Sequence, residues 1–420
     1  MRDDWGIVGG IVFVVMFLPA IGSAQMIQGI PRSPMAPTVM SGGKVPEDVY
    51  IMPWIATGVV YDDNVFFARQ GRKQEDVFLR VTPGLQASYQ STPFTIVGDY
   101  RFDSEVYSKL DQLSTAQQRQ FGTVDTRWRP STSWTVGTTV GYAQTNTPFE
   151  LNILTSAQTA RFRTERYFVN PTAEYRIDQS TKLIGQYAFA KDMFRGVEIN
   201  SNIINASLEH RFGPHDTLGP AYVGRYFTFD VDPNGSLGFL GNPASFQSHA
   251  MQLSWGHEFS SDTRMEVRAG PRFTRGQLDN RPEAFVRLSQ RIPNGEIGLS
   301  YISAITTIVG TVGGTQTDSI SISARQELFK HFTVTAAPMA TWIRNSSFDS
   351  TIYTGYIEAA YQFNQFVTAK GSAYLSYQEG NFVPTGGGSA DNIVIARNVY
   401  WLRLEFSYPS RWNIASEGEA

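Results

Sequence analysis

From Val49 onward the chain repeats one pattern, in which stretches of about 10–15 residues alternate apolar and polar side chains. Val77, Leu79, Val81, Pro83, Leu85, Ala87 and Tyr89 share one face of such a stretch, while Arg80, Thr82, Gln86 and Ser88 share the other. Met265, Val267, Ala269 and Phe273 oppose Arg264, Glu266, Arg268 and Arg272 in the same way. Tyr400, Leu402, Leu404, Phe406 and Tyr408 oppose Trp401, Arg403, Glu405 and Ser407. Period-two alternation is what a strand between two unlike environments requires. A soluble sandwich alternates too, but its strands usually run about 5–6 residues. These run about twice that, the length a tilted membrane strand needs. Tyr, Phe and Trp gather toward the ends of the stretches, where interfacial girdles belong. The pattern predicts an all-β fold, a closed antiparallel transmembrane β-barrel in the cell outer membrane, in contact with its lipid. A soluble all-β fold is the alternative, and detergent dependence separates the two.

The connections come in two kinds. Short turns are expected at Gln90–Thr92, Pro130–Thr132, Asp178–Ser180, Pro214–His215, Ser260–Ser261, Pro293–Asn294, Lys330 and Asn364–Gln365. Longer segments are expected at Asp62–Glu75, Leu110–Ala116, Asn146–Ala160, Asp192–Glu198, Val231–Ser245, Arg275–Pro282, Ile308–Thr315, Asn345–Asp349 and Gly380–Asn392. Short periplasmic turns alternating with long outer loops mark outer-membrane barrels. Counting through gives about eighteen strands, with 16–18 bracketing the number and both termini periplasmic.

The barrel is assigned to residues 49–412. Before it, Arg2, the apolar run Ile7–Leu18 and the small residues Gly22-Ser23-Ala24 read as a signal peptide over 1–24. A retained N-terminal anchor is the other reading, but the run falls short of the about 20 apolar residues of a spanning helix. Residues 25–48, with Pro31, Pro34, Pro37 and Pro46, read as an irregular periplasmic lead-in. Residues 413–420 read as a periplasmic tail.

If the apolar face meets lipid, the other face carries charge. The inward set comprises Arg80, Asp99, Arg101, Asp103, Glu105, Asp125, Arg127, Arg129, Glu174, Arg176, Glu209, Arg211, Arg264, Glu266, Arg268, Arg272, Arg287, Arg291, Arg325, Glu327, Lys370, Arg403 and Glu405. One Arg or Lys turned to lipid at the midplane costs about 2–4 kcal/mol, so the inverted register is not viable. A barrel of about 16–18 strands is too wide for its wall side chains to fill. The charges therefore either set the selectivity of a solute path or form an ion-pair lattice that plugs it. Arginine outnumbers acid in the set, which suggests a preference for anionic solutes or uronic-type sugars.

Chemistry beyond this is sparse. The chain has no cysteine, hence no disulfide, thiolate metal site or lipoprotein anchor. Its formal net charge of -3 gives no nucleic-acid footprint. The histidines at 210, 215, 249, 257 and 331 make no His-Glu-x-x-His pair and no ligand cluster. Ser254 and His257, the nearest approach to a hydrolytic pair, fall on opposite faces. No catalytic residue, metal site or cofactor is assigned. Asp62-Asp63-Asn64 could hold Ca²⁺, but these are also good turn residues. Gly313-Gly314 and Gly386-Gly387-Gly388 read as loops. Tyr353, Tyr356, Tyr361, Tyr374 and Tyr377 could stack on sugars or sit in the lipid girdle.

One segment carries a family resemblance. Gly58-Val59-Val60-Tyr61-Asp62-Asp63-Asn64-Val65, then Asp76, Thr82-Pro83-Gly84-Leu85, Asp99-Tyr100 and Tyr107, resembles the start of an outer-membrane β-barrel porin family. Tyr61, Asp62, Asp63, Asn64, Pro83 and Gly84 carry the motif, which covers roughly the first quarter of the mature chain. Members often accompany exopolysaccharide synthesis and export systems. The resemblance implies passage or export of a polar solute or polysaccharide, with periplasmic export machinery as a partner. The same resemblance also fits a structural barrel with a plugged lumen that docks such machinery. The C-terminus departs from the usual ending, an aromatic on the last strand; Tyr408 or Trp412 takes that part here.

Overall fold

A computed structural model describes residues 49–91, 93–234, 245–276, 279–345, 348–382 and 391–408. The expected signal peptide, lead-in and tail, Trp412 and Gly386-Gly387-Gly388 lie outside the described residues.

The strands are β1 (Tyr50–Asp62), β2 (Asp76–Gln90), β3 (Phe94–Tyr107), β4 (Thr115–Trp128), β5 (Trp134–Thr145), β6 (Thr164–Arg176), β7 (Thr181–Phe194), β8 (Val197–Arg211), β9 (Asp216–Val231) and β10 (Phe246–Glu258). They continue as β11 (Thr263–Arg275), β12 (Arg281–Ile292), β13 (Gly295–Thr307), β14 (Gly314–Phe329), β15 (Phe332–Ala336), β16 (Met339–Asn345), β17 (Phe348–Gln362), β18 (Val367–Phe382) and β19 (Asp391–Ser407). Sequence neighbours pair antiparallel except β15 with β16, and β1 pairs with both β2 and β19, so the sheet closes. β15 and β16 both lie between β14 and β17. They are two pieces of one stave interrupted at Ala337-Pro338, because proline brings no N–H to the ladder. The Ala337 N–H donates to Tyr356 O at 2.8 Å and the Ile322 N–H to Pro338 O at 3.0 Å, so pairing continues across the break. The result is an 18-stave closed antiparallel barrel.

The expected short turns fall at strand ends on one end of the barrel, the end expected to be periplasmic; Gln90 closes β2, and Thr92 lies outside the described residues. Two expected long outer segments are corrected. β7 and β8 join through Arg195-Gly196 alone, with φ of 47° and 78°. Positive φ at both central positions is the two-residue hairpin turn whose twist matches the strands. The alternation continues into this turn, with Phe194 opposite Val197 on the inward face. Likewise β16 reaches Asn345 and β17 starts at Phe348, which shortens the segment expected at Asn345–Asp349.

The polarity of the two faces is that of a membrane barrel. Val59, Leu85, Val106, Ile204, Met251, Leu253, Phe273, Leu402 and Leu404 point outward and are exposed, Leu402 by 67%. Exposed aromatics ring the periplasmic end at Trp128, Trp134, Tyr175, Phe212, Phe259, Phe363 and Tyr408. The alternating inward residues Arg80, Arg101, Asp103, Glu105, Arg268, Lys370, Arg403 and Glu405 are buried.

Candidate functional site: the lumen and its inserted loops

A soluble protein hides its apolar side chains and exposes its charges; here the order is reversed along the whole circumference. In lipid every backbone N–H and C=O must be satisfied within the protein, which a closed sheet does. This is an outer-membrane β-barrel. No protein-family model matches the chain, and no curated protein matches it. Among solved structures it is similar to OpdQ of Pseudomonas aeruginosa, with 10% identity over 86% of this chain and 98% of that one, at a TM-score of 0.45. OccAB3 of Acinetobacter baumannii aligns at 8% identity over 86% and 100%, TM-score 0.43. The siderophore receptor PirA of Pseudomonas aeruginosa aligns at 7% identity over 87% and 81%, TM-score 0.44. At this level of likeness none of their functions transfers to the chain.

The outer half of the lumen is dry. Every stave presents a buried inward side chain there: Val60, Phe78, Glu105, Phe121, Thr145, Phe168, Phe194, Ile199, Phe227, Ser248, Arg272, Glu283, Ala304, Thr317, Ile343, Ile352, Gln378 and Ile395, in barrel order. Loops cover them. The loop between β5 and β6 folds inward, and its 3-10 turn Pro148–Leu151 is wholly buried. Asn152 donates from Nδ2 to Val309 O at 3.1 Å and accepts from the Val309 N–H at 2.7 Å, on the far side of the barrel. The Gln158 N–H donates to Gln378 Oε1 at 2.7 Å, and its side-chain amide donates to the Ser376 hydroxyl. Ala157 packs with Ile308, Ile343 and Ile352. Val65 and Phe67, from the loop between β1 and β2, join Phe149, Tyr374 and Trp401 in a second apolar cluster.

Charge ties this loop to the wall. The Arg119 guanidinium donates to Glu150 Oε2 at 2.8 Å, to Asp103 Oδ2 at 3.0 Å and to Glu105 Oε1 at 3.0 Å. Arg80 also pairs with Glu105, at 2.7 Å, and Arg161 of the loop donates to the Tyr107 hydroxyl at 3.1 Å. Thr145 donates to Glu150 at 2.9 Å. Of these residues the inward set held Arg80, Asp103 and Glu105. Arg119, Glu150 and Arg161 were missed: Arg119 shares the parity of Asp125 and Arg127, which would have found it, whereas the other two sit in a loop, where no periodicity marks them.

The remaining charged positions divide into paired, buried groups and accessible ones. Arg225, Arg272 and Glu283 form a buried cluster, with Arg225 and Glu283 at 2.7 Å. Lys370 pairs with Glu405 at 2.8 Å and Arg403 with Glu358 at 3.2 Å. Arg101 lies over the Phe121 ring at 4.8 Å, within reach of Asp99 at 3.6 Å. Glu266 pairs with Arg268 at 2.7 Å, and Glu209 with Lys182 at 2.9 Å. Toward the periplasmic end, Asp125, Arg129, Arg176, Arg211, Arg264, Arg291, Arg325 and Glu327 are exposed, while Arg127, Glu174 and Arg287 are half-buried. A large apolar share of the inward surface was not foreseen. Near the outer rim of β8 and β9, Val197, Ile199, Phe227, Phe229 and Val231 face inward because they meet inserted loops instead of water, while Glu198, Asn200, Thr228 and Asp230 take the other face.

The motif residues close the seam. Asp62 accepts from Arg397 on β19, with the shortest contact 2.6 Å, and the Arg397 guanidinium lies against the adjoining Phe67 and Phe149 rings, 4.4 and 4.9 Å from their centroids. Asp63 accepts from the Asn398 N–H at 2.7 Å and pairs with Lys73 at 2.9 Å. Asn64 Nδ2 donates to Ala68 O at 2.9 Å and Ala396 O at 3.0 Å. These oxygens are committed to the protein, and among the described residues no His/Asp/Glu group could hold a metal ion. Asp76 organises the next loop, accepting from the Ser108 hydroxyl at 2.6 Å and the Leu110 N–H at 2.7 Å. Beside it, the Tyr61 hydroxyl donates to Glu75 at 2.8 Å; with Lys109 also in reach, the Glu75 carboxyl is held below its ordinary range. Gly84, beside Pro83, leaves room for the Trp54 indole: a Cβ there would lie 2.2 Å from Trp54 Cε2.

The other sequence candidates separate. Ser254 is buried inward, while His257 faces outward and pairs with Asp216 at 2.7 Å. His249 shares a hydrogen bond of 2.7 Å with the Tyr222 hydroxyl on the lipid side. Tyr353, Tyr361 and Tyr377 are exposed on the outer face, whereas Tyr374 is buried against Phe149 and Tyr356 stacks on Trp401.

Proposed function

We propose that the chain is a porin-like barrel that passes polar solutes and is held shut at rest by its own β5–β6 loop. The observation that carries this is the polarity of a wide closed sheet: eighteen staves exceed what wall side chains alone can fill, and their inward face bears the charges. The inward set named from the sequence is the wall of that path, deep in the barrel as paired ions and toward the periplasm as accessible ones. The resemblance to a family that accompanies exopolysaccharide systems supports export of a glycan, with periplasmic machinery feeding the open end.

The test is single-channel recording on the purified barrel carrying Gln158→Cys and Ser376→Cys, in a chain that has no cysteine of its own. Stepwise conductance is expected under reducing conditions and its loss after oxidation, with recovery on re-reduction. Silence in both states defeats the gated reading. The dry outer half of every stave favours a second reading, a permanently sealed structural barrel that docks periplasmic export machinery, and that reading expects the silent outcome.

A further inference from the structure

The lumen wall built by β11 to β14 carries a basin near its periplasmic end. Cross-strand register places Arg264, Ser289, Gly298 and Ser323 in one inward row. The adjacent row toward the outer side runs Glu266, Arg287, Ser300, Ser321, and the adjacent row toward the periplasm runs Arg291, Glu296, Arg325. The centre is therefore small and hydroxylated, and the rim carries the guanidiniums of Arg287, Arg291 and Arg325 with the carboxylates of Glu266 and Glu296. The Ser300 and Ser321 hydroxyls lie 2.7 Å apart, and the serines of the floor are exposed or half-buried.

Paired charge would make this a structural lattice, as it is higher in the barrel. Here the pairing is incomplete. Glu266 stands opposite Arg287, yet its carboxylate is taken by Arg268 on its own strand at 2.7 Å. Glu296 stands opposite both Arg291 and Arg325. Among the described residues Arg264, Arg287 and Arg325 make no ion pair. Guanidinium forks match carboxylates in bidentate geometry, and serine hydroxyls both donate and accept. The geometry points to a binding site for a carboxylate-bearing saccharide, with uronate carboxylates on Arg287 and Arg325 and sugar hydroxyls over the floor of Ser289, Ser300 and Ser323. The site rests on the solute-passing reading for its purpose, but not for its existence.

The test is titration of the full-length protein in detergent, followed by calorimetry, with a short oligogalacturonate, a neutral maltooligosaccharide of equal length and inorganic phosphate. Oligogalacturonate is expected to bind at least about tenfold more tightly than the neutral sugar. R287Q/R325Q is expected to weaken it by about tenfold or more, while Lys109→Gln, an exposed side chain of the β3–β4 loop outside the lumen wall, leaves it within about twofold. Heat-modifiable gel mobility verifies that each variant is folded. Equal binding of the neutral sugar, unchanged affinity in R287Q/R325Q, or displacement by phosphate at equal concentration overturns the assignment. Oligouronate binding without conductance keeps this site and removes transport; conductance without binding does the reverse.

Discussion

Arg397 shows how one side chain serves two ends of the chain. Its guanidinium bonds the Asp62 carboxylate across the seam while the Phe67 and Phe149 rings pack against it, so seam, first loop and inserted loop meet at one cation. A buried pair that loses one partner leaves an uncompensated charge, at about 3–5 kcal/mol, whereas replacing both by apolar groups is often neutral. Arg397→Gln and Asp62→Asn should each lower the guanidinium midpoint of unfolding by a large step, and D62L/R397M should recover most of it; equal losses in all three would refute a buried pair. Gly84 makes the opposite point, since space and not charge is at stake. Gly84→Val should destabilise by about 1–3 kcal/mol through overpacking, and adding Trp54→Ala should relieve it in a double-mutant cycle. Asp62 and Gly84 stand in the motif read from the sequence, but its wording did not reveal that the carboxylate serves the closing pair of β1 with β19 and the glycine the pair of β1 with β2. Those partners lie on β19 and β1, far off in sequence from one or the other.

Among elements, strands and loops differed sharply in legibility. Each strand advertises itself through period-two alternation, and each periplasmic turn through Pro, Asn, Asp or Ser between two such runs. The segment Asp192–Glu198 misled because Lys191, Asp192 and Glu198 look like loop residues. In the structure Lys191 and Glu198 pair at 2.8 Å and Asp192 pairs with Arg166 at 2.6 Å, leaving only Arg195-Gly196 to turn. The β5–β6 loop was legible in length but not in destination. Its burial depends on contacts to β4, β18 and the β13–β14 loop that no local pattern encodes. Deleting residues 148–160 should leave the barrel folded, because the ladder does not use them, and should raise baseline conductance in planar bilayers. An unchanged trace would show that other groups seal the lumen.

At the scale of the whole molecule, closure is the property from which the rest follows. An open sheet of this width would leave two edges of unpaired backbone in hydrocarbon; pairing β1 with β19 removes both. The protein should require detergent and show heat-modifiable gel mobility. Leu402→Cys should react with a lipid-phase maleimide and resist a membrane-impermeant one, and Ser323→Cys should do the reverse; the same preference at both positions would dismantle the assignment of faces. Periodicity in the chain was enough to determine the strand class, the polarity of the two faces, eight turns and the number of staves, because each follows from local alternation and the cost of charge in lipid. It also marked many of the inward charges, but not Arg119, Arg225, Glu283, Glu358 or Arg397, and not which are dry. That was decided by tertiary structure, where inserted loops withdraw the outer-half charges from water, Lys370, Glu405, Arg403 and Glu358 pair lower down, and Arg264, Arg291 and Arg325 stay accessible.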